Sequence, residues 1–126
     1  MDPKAGDSFL NLNPSSPRHL WVISSHAGDD GGFVIFNFSS LREGCDESCI
    51  IEPGEHPLVN VKTYVVYRRG HVMTRVHIKA LESLGCYSEQ TPVTVDLLRR
   101  IQEGALTSPY CVQGLQSRVR NSLEQT

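Results

Sequence analysis

Short runs of apolar and β-branched residues, separated by clusters of glycine, proline, asparagine and aspartate, fill the first two thirds of the chain. Runs of this length between turn-forming residues are typical of β-strands. They predict five or six strands, at residues 9–12, 19–24, 33–38, 49–52, 63–67 and 71–73. The Gly/Asp-rich segment 28–32 predicts a turn, so the second and third strands should form an antiparallel pair.

The spacing of apolar residues becomes helical after residue 74. Ile78, Leu81 and Leu84 recur every third residue, which predicts a helix over 75–84. Thr74 and Gly85 flank this segment, and they are residue types suited to an N-terminal and a C-terminal cap.

A second and stronger helix is predicted over 95–106, with Thr94 as its N-cap and Asp96 in its first turn, where the helix dipole favours an acid. Its apolar stripe consists of Val95, Leu97, Leu98, Ile101 and Leu106. A weaker pattern over 112–119 indicates an amphipathic tail.

Strands followed by helices around one core predict an α+β domain. We expect a small, strongly bent antiparallel sheet or SH3-like barrel followed by C-terminal helices, with residues 1–126 forming one domain whose ordered core spans about 9–121. The predicted shared core comprises Trp21, Val22, Ile35, Phe36, Val65, Leu97, Leu98 and Ile101.

Apolar content of 39% and charged content of 21% indicate a globular chain. No apolar run approaches the roughly 20 residues of a bilayer span, and the polar N-terminus lacks the apolar stretch of a signal peptide. We therefore expect a cytoplasmic protein that does not contact a membrane. The segment 28–32 is too acidic to hold a phosphate, so no nucleotide cofactor is expected.

Four cysteines are present, and only Cys45 and Cys49 form a close pair. Without a secretory signal, we expect all four to be reduced. Structural zinc sites usually need two ligand pairs, so no metal is expected. A metal site shared with His56 or His71 is the open alternative.

Charge is distributed unevenly along the chain. Residues 1–58 hold three Lys/Arg and nine Asp/Glu, whereas residues 59–126 hold nine Lys/Arg and five Asp/Glu. This asymmetry favours an anionic partner for the second half.

The segment 62–79 contains five Lys/Arg, two His, two Tyr and no acid. Basic groups beside aromatic rings suit single-stranded nucleic acid, because cations neutralise phosphates while rings stack on bases. The candidate contacts are Lys62, Tyr64, Tyr67, Arg68 and Arg69. Strand alternation places Tyr64 and Tyr67 on opposite faces, so one tyrosine should belong to the core.

Cleavage of RNA without a metal requires proton transfer near neutral pH, where imidazole titrates. His56 lies in a Gly-Glu-His-Pro loop between strands, a position from which a side chain can reach a substrate. A histidine that caps a turn is the alternative for His56, while His19 at a strand start is expected to be structural.

The order of these elements resembles the MazF/PemK growth-inhibitor toxins. Pro17-Arg18 precedes the apolar strand 20–24, the strand ending at Phe38 leads into Ser39-Ser40, and a basic strand followed by a helix comes next. This resemblance covers roughly residues 8–104, and it implies an SH3-like barrel. It further implies catalytic roles for Arg18 and for Ser39 or Ser40 in attack of the ribose 2′-hydroxyl on the phosphate.

The resemblance therefore predicts a toxin of a toxin–antitoxin pair that acts as a metal-independent endoribonuclease on single-stranded RNA. Its partners would be an antitoxin protein, RNA and, as an open alternative, a second copy of the chain. His56 is not part of the family's pattern, and its loop position makes it the candidate imidazole, acting with Tyr64 or Arg68. The competing hypothesis is a non-enzymatic small-barrel module that binds protein or nucleic acid without cleaving it.

Overall fold

Six strands and three helices follow one another in a computed structural model that describes residues 3–125. They are β1 (Ser8–Asn11), β2 (Leu20–Ile23), β3 (Phe33–Ser40), β4 (Ile50–Ile51), β5 (Thr63–Met73), α1 (Arg75–Ser83), β6 (Tyr87–Gln90), α2 (Val95–Thr107) and α3 (Gln113–Glu124). The strands form one antiparallel sheet in the order β4-β5-β3-β2-β1-β6, curled into a half-barrel. The predicted α+β architecture is confirmed, as is the antiparallel pairing of β2 with β3.

The sheet has apolar side chains on both faces, because alternate residues of a strand point to opposite sides. The larger core lies between one face and the helices α2 and α3, and it contains Val22, Phe36, Val65, Leu97 and Ile101. A smaller cluster lies on the other face and includes Phe9, Ile23, Ile35 and Ile78 of α1, with Trp21 packed against it.

The prediction that Trp21 and Ile35 share a core with the second helix is therefore wrong. They are adjacent in sequence to Val22 and Phe36, and a period of two sends them to the opposite face.

The basic segment forms one strand rather than the two that were predicted. Ile35 pairs with His71 and Asn37 pairs with Val66, so two steps along β3 correspond to five along β5. The extra residues form a bulge opposite Phe36. Gly70 belongs to this bulge, and a Cβ built on it would lie 2.4 Å from the Phe36 ring. The break predicted between residues 67 and 71 is thus a bulge within a continuous strand.

All three predicted helix caps are present. The backbone N–H of Thr74 donates to Nδ1 of His77 at the start of α1, and Thr94 accepts from the N–H of Leu97 at the start of α2. Gly85 has a φ of 69°, and its N–H donates to the carbonyl of Glu82 as α1 ends. This left-handed conformation explains why glycine suits the position.

Two apolar residues assigned to buried helix faces are instead exposed, namely Leu84 and Val95. Leu84 is the C-terminal cap of α1 and Val95 is the first residue of α2, so each lies at a helix end. The weak pattern at 112–119 is a full helix, α3, which buries Leu115 and Val119.

The edge strand β6 was not predicted. Its sequence, Tyr-Ser-Glu-Gln, has no run of apolar residues, and it is held by pairing with β1 from Ser8 to Asn11. A strand held mainly by backbone hydrogen bonds need not contain the apolar and β-branched residues from which strands are predicted.

Gly104 on α2 lies against the hydroxyl of Tyr67, and a Cβ added there would be 2.2 Å from that oxygen. We expect Gly104→Ala to lower the free energy of unfolding by about 1–3 kcal/mol, because overpacking outweighs the gain in helix propensity. Gly114 on α3 is the matched control, since its added Cβ meets nothing within 4 Å. There, alanine should stabilise by up to about 1 kcal/mol. Urea unfolding of both variants measures this, and stabilisation by Gly104→Ala would contradict the packing.

Candidate functional site

A cleft of about 450 Å³ opens where the start of β2 meets the end of β3. Arg18 and His19 line it from the turn before β2, and Ser39 and Ser40 line it from the last residues of β3. The opposite wall is the segment 58–61 with Thr63. Arg18 and Ser40 are exposed, so the cleft is accessible to a large substrate.

Sheet register explains why these residues meet. Trp21 is paired with Asn37 in the antiparallel β2–β3 ladder. Arg18 lies three residues before Trp21, and Ser40 lies three residues after Asn37. In an antiparallel pair these positions lie at the same end of the ladder. The arginine and the serine pair singled out in the sequence therefore line the same cleft.

His56 is not presented to this cleft. It is buried, and its Nε2 lies 2.7 Å from the carbonyl of Thr91 and 3.2 Å from Oγ of Ser8. Its Nδ1 accepts from the N–H of Leu58 at 3.1 Å. A ring nitrogen that accepts carries no proton, so the other nitrogen is the donor to Thr91. The structure therefore favours the alternative interpretation, a histidine that holds a turn.

His56 and Glu55 together anchor the loop that forms the wall of the cleft. The carbonyl of His56 accepts from the N–H of Val59 at 2.9 Å. Glu55 forms a two-point contact with the guanidinium of Arg100 on α2, and that guanidinium also donates to the carbonyl of Ile50 at 2.7 Å. Hydrogen bonding from Arg100 lowers the pKa of Glu55, so the carboxylate stays ionised.

We expect His56→Ala to lower the free energy of unfolding by about 1–3 kcal/mol, because the change leaves buried polar groups without a partner. Thermal or urea unfolding followed by circular dichroism provides the measurement. His26, an exposed histidine, serves as the matched control, and its replacement by alanine should change stability by less than about 0.5 kcal/mol. An equally mild effect at His56 would contradict the structural role.

His19 is the histidine that does line the cleft, and the sequence alone did not identify it as functional. It is half-buried, and its backbone N–H donates to the carbonyl of Pro17 at 3.0 Å. This tight turn places His19 and Arg18 side by side at the cleft. The sequence signal for a role of His19 was its position directly after Arg18, because a residue next to a candidate catalytic arginine lies near the same site.

The five candidate nucleic-acid contacts do not form one surface. Tyr67 is buried, and its hydroxyl donates to the carbonyl of Ile101 at 2.7 Å, so it is the tyrosine that belongs to the core. Burial raises its pKa well above the ordinary value. Lys62 is exposed and lies 3.8 Å from Glu52. Arg69 is exposed in the bulge of β5.

Tyr64 and Arg68 line a second pocket beside the loop that follows β3. The ring of Tyr64 is almost fully buried, and its hydroxyl accepts from Nη2 of Arg42 at 3.4 Å. Arg68 is exposed. Tyr67 lines the same pocket, so three of the five predicted contacts lie together there.

All four cysteines are unpaired, and Cys49 and Cys111 are buried. Burial raises the pKa of the Cys111 thiol to about 11 and also raises that of Cys49. Within residues 3–125, no group of three or more His, Cys, Asp or Glu side chains is arranged to hold a metal ion.

No protein-family model matches this chain, and no curated protein matches its sequence. Between residues 3 and 125 no helix has the length and apolar character needed to cross a membrane.

Proposed function

We propose that this chain is a toxin of the MazF/PemK kind that cleaves single-stranded RNA in the cytoplasm without a metal ion. The observation that carries the proposal is the cleft shared by Arg18, His19, Ser39 and Ser40. Three separate segments of the chain meet there. For two of them, those with Arg18 and with Ser39 and Ser40, the resemblance implies a shared catalytic role. The cleft offers a cation, an imidazole and two hydroxyl groups.

Arg18 supplies the electrostatic part of the proposed chemistry. When the ribose 2′-hydroxyl attacks the adjacent phosphate, negative charge increases on the non-bridging phosphate oxygens. A guanidinium presents fixed N–H donors to these oxygens, and its interaction strengthens as their charge develops. Ser39 and Ser40 orient the phosphate by hydrogen bonds.

His19 takes the role first assigned to His56. Its neutral imidazole removes the proton of the 2′-hydroxyl as the new phosphorus–oxygen bond forms. The bond from phosphorus to the 5′-oxygen breaks, and the imidazolium returns the proton to this leaving oxygen. The products are a 2′,3′-cyclic phosphate and a free 5′-hydroxyl, and no electron acceptor or metal takes part.

An antitoxin partner finds support in the apolar rim of the cleft. Leu58 is 43% exposed and Val61 is 54% exposed, and both belong to the wall facing Arg18. Exposed aliphatic residues beside a polar cleft suit a protein contact. A partner that covers this rim would also block access to the cleft.

A non-enzymatic module that binds RNA is the second candidate. The observation that favours it is the loss of His56 to a structural role, which leaves one imidazole in the cleft. Such a module would use the same arginine and hydroxyl groups to bind phosphates, and its affinity would fall steeply with salt.

Cleavage of a synthetic single-stranded RNA by the purified chain, in the presence of a chelator, tests the proposal. We expect products that end in a 2′,3′-cyclic phosphate. A substrate with 2′-deoxyribose at the cleaved position should stay intact, because the attacking hydroxyl is missing. Expression of the chain alone in bacteria should stop growth and degrade bulk RNA.

Retention on single-stranded RNA at low salt without cleavage would overturn the enzymatic proposal and favour the binding module. Normal growth, intact RNA and no retention would overturn both, and a protein-binding barrel would then be the better account.

A further inference from the structure

A second pocket, of about 250 Å³, lies beside β5 and the loop that follows β3. It is bounded by the loop 42–46, by β5 between Tyr64 and Arg68, and by Tyr110 in the turn between α2 and α3. Pockets for drug-sized ligands measure about 300–1,000 Å³. At about 250 Å³ this pocket lies just below that range, so it has room for part of one nucleotide and not for a longer chain segment.

Two guanidinium groups, those of Arg42 and Arg68, line the pocket without a carboxylate partner among the described residues. By contrast, Arg100 and Arg118 are each bound at two points to an acid, Glu55 and Asp30. Arginines without a carboxylate partner in a concave site are suited to bind a phosphate group.

The walls of the pocket are held together by a hydrogen-bonded chain. One oxygen of Asp46 accepts from the hydroxyl of Ser108 at 2.5 Å, and the other accepts from the N–H and hydroxyl of Ser48. The Ser108 hydroxyl in turn accepts from the N–H of Tyr110 at 3.1 Å. Burial opposes ionisation of Asp46, but these hydrogen bonds outweigh it and lower its pKa.

Tyr110 also lines the pocket, and its side chain is 55% exposed to solvent. An aromatic ring fixed by its backbone beside two arginines is suited to stack on a nucleobase. Glu43 lines the same pocket and is exposed. A carboxylate only accepts hydrogen bonds, and guanine offers it two adjacent N–H donors on its Watson–Crick edge.

We propose that this pocket binds one guanine ribonucleotide, with the base stacked on Tyr110, its edge at Glu43 and its phosphate between Arg42 and Arg68. As a subsite for an RNA substrate this inference rests on the proposed function. Ser39 of the cleft and Tyr64 of the pocket are direct cross-strand partners. A strand of RNA that places guanine in the pocket therefore has a neighbouring phosphate within reach of the cleft.

Calorimetric titration of the full chain with 5′-GMP tests the pocket without any need for cleavage. Tyr110→Ala should weaken GMP binding about 5- to 150-fold, the loss expected from one base–aromatic stack. Arg42→Ala should weaken it at least tenfold, since a charge-assisted contact to phosphate is lost. Glu43→Gln should remove the preference for GMP over AMP. Arg120→Ala, which removes an exposed arginine of α3, should leave binding unchanged.

The outcomes separate this inference from the proposed function. If RNA is cleaved but GMP does not bind, or binds equally to the Arg42 and Tyr110 variants, the pocket proposal is overturned and the cleavage proposal stands. If GMP binding depends on these residues while RNA stays intact, the nucleotide site stands and the endoribonuclease proposal fails. Equal affinity for GMP, AMP and UMP would overturn the assignment of guanine. Unfolding midpoints of the variants confirm that each is folded.

Discussion

Arg18→Ala should slow cleavage of single-stranded RNA by about 100- to 1,000-fold, the loss typical of removing one donor to a developing oxyanion. The side chain is exposed, so its removal should leave the thermal unfolding midpoint unchanged. Single-turnover rates with excess protein provide the measurement, because they separate the chemical step from substrate binding and product release.

Two further variants sharpen this test. Arg18→Lys keeps the positive charge but not the planar fork of donors, so it should recover only part of the rate. Arg120→Ala removes an exposed arginine from α3, outside the residues that line the cleft, and it should cleave at the wild-type rate. A rate for Arg18→Ala within twofold of wild type would remove Arg18 from the proposed mechanism.

The part of the cleft that could be predicted from sequence depends on local structure. A Gly/Asp turn at 28–32 fixes the β2–β3 hairpin, and the hairpin brings Arg18 to the end of β3 where Ser39 and Ser40 lie. Only strand pattern and turn chemistry are needed for this step, and both are encoded within about 20 neighbouring residues. Strands β1 to β4, the two halves of β5, the first two helices and their caps were predictable for the same reason.

The role of His56 depends on distant parts of the chain. Its ring contacts Ser8 and Thr91, and β6, which precedes Thr91, has no apolar pattern of its own. A single sequence does not indicate which loop histidine is buried, because burial is decided by elements that pack from elsewhere. The same limit applies to the pocket near Tyr64, where Tyr110 arrives from the α2–α3 turn.

The sequence pattern also did not show which face of the sheet each apolar strand residue occupies. The strands are apolar on both sides, so hydrophobic alternation did not separate Trp21 and Ile35 from Val22 and Phe36. A sheet covered by helices on both faces gives nearly continuous apolar runs. The two clusters could be separated only once the helices were placed, with α1 on one face and α2 and α3 on the other.

Phe36→Ala should cause a large loss of stability, about 3–5 kcal/mol in the free energy of unfolding. Phe36 is 0% exposed, and its ring lies 4.9 Å from the ring of Tyr67 in an edge-to-face arrangement. It also fills the space left where Gly70 passes without a side chain. Removing the ring opens a cavity between β3, the bulge of β5 and α3, and these elements cannot close it without breaking strand pairing.

This expected loss is a large fraction of the roughly 5–15 kcal/mol that stabilises a typical domain. Urea unfolding followed by circular dichroism measures it, with Val112→Ala as the control because Val112 is 63% exposed. Phe36→Leu should cost less than Phe36→Ala, since most of the buried volume remains. A change within about 0.5 kcal/mol for Phe36→Ala would mean that the ring is not enclosed by the bulge. Such a result would also contradict the packing of α3 on the sheet, because Leu115 of α3 lies next to Gly70 at this point.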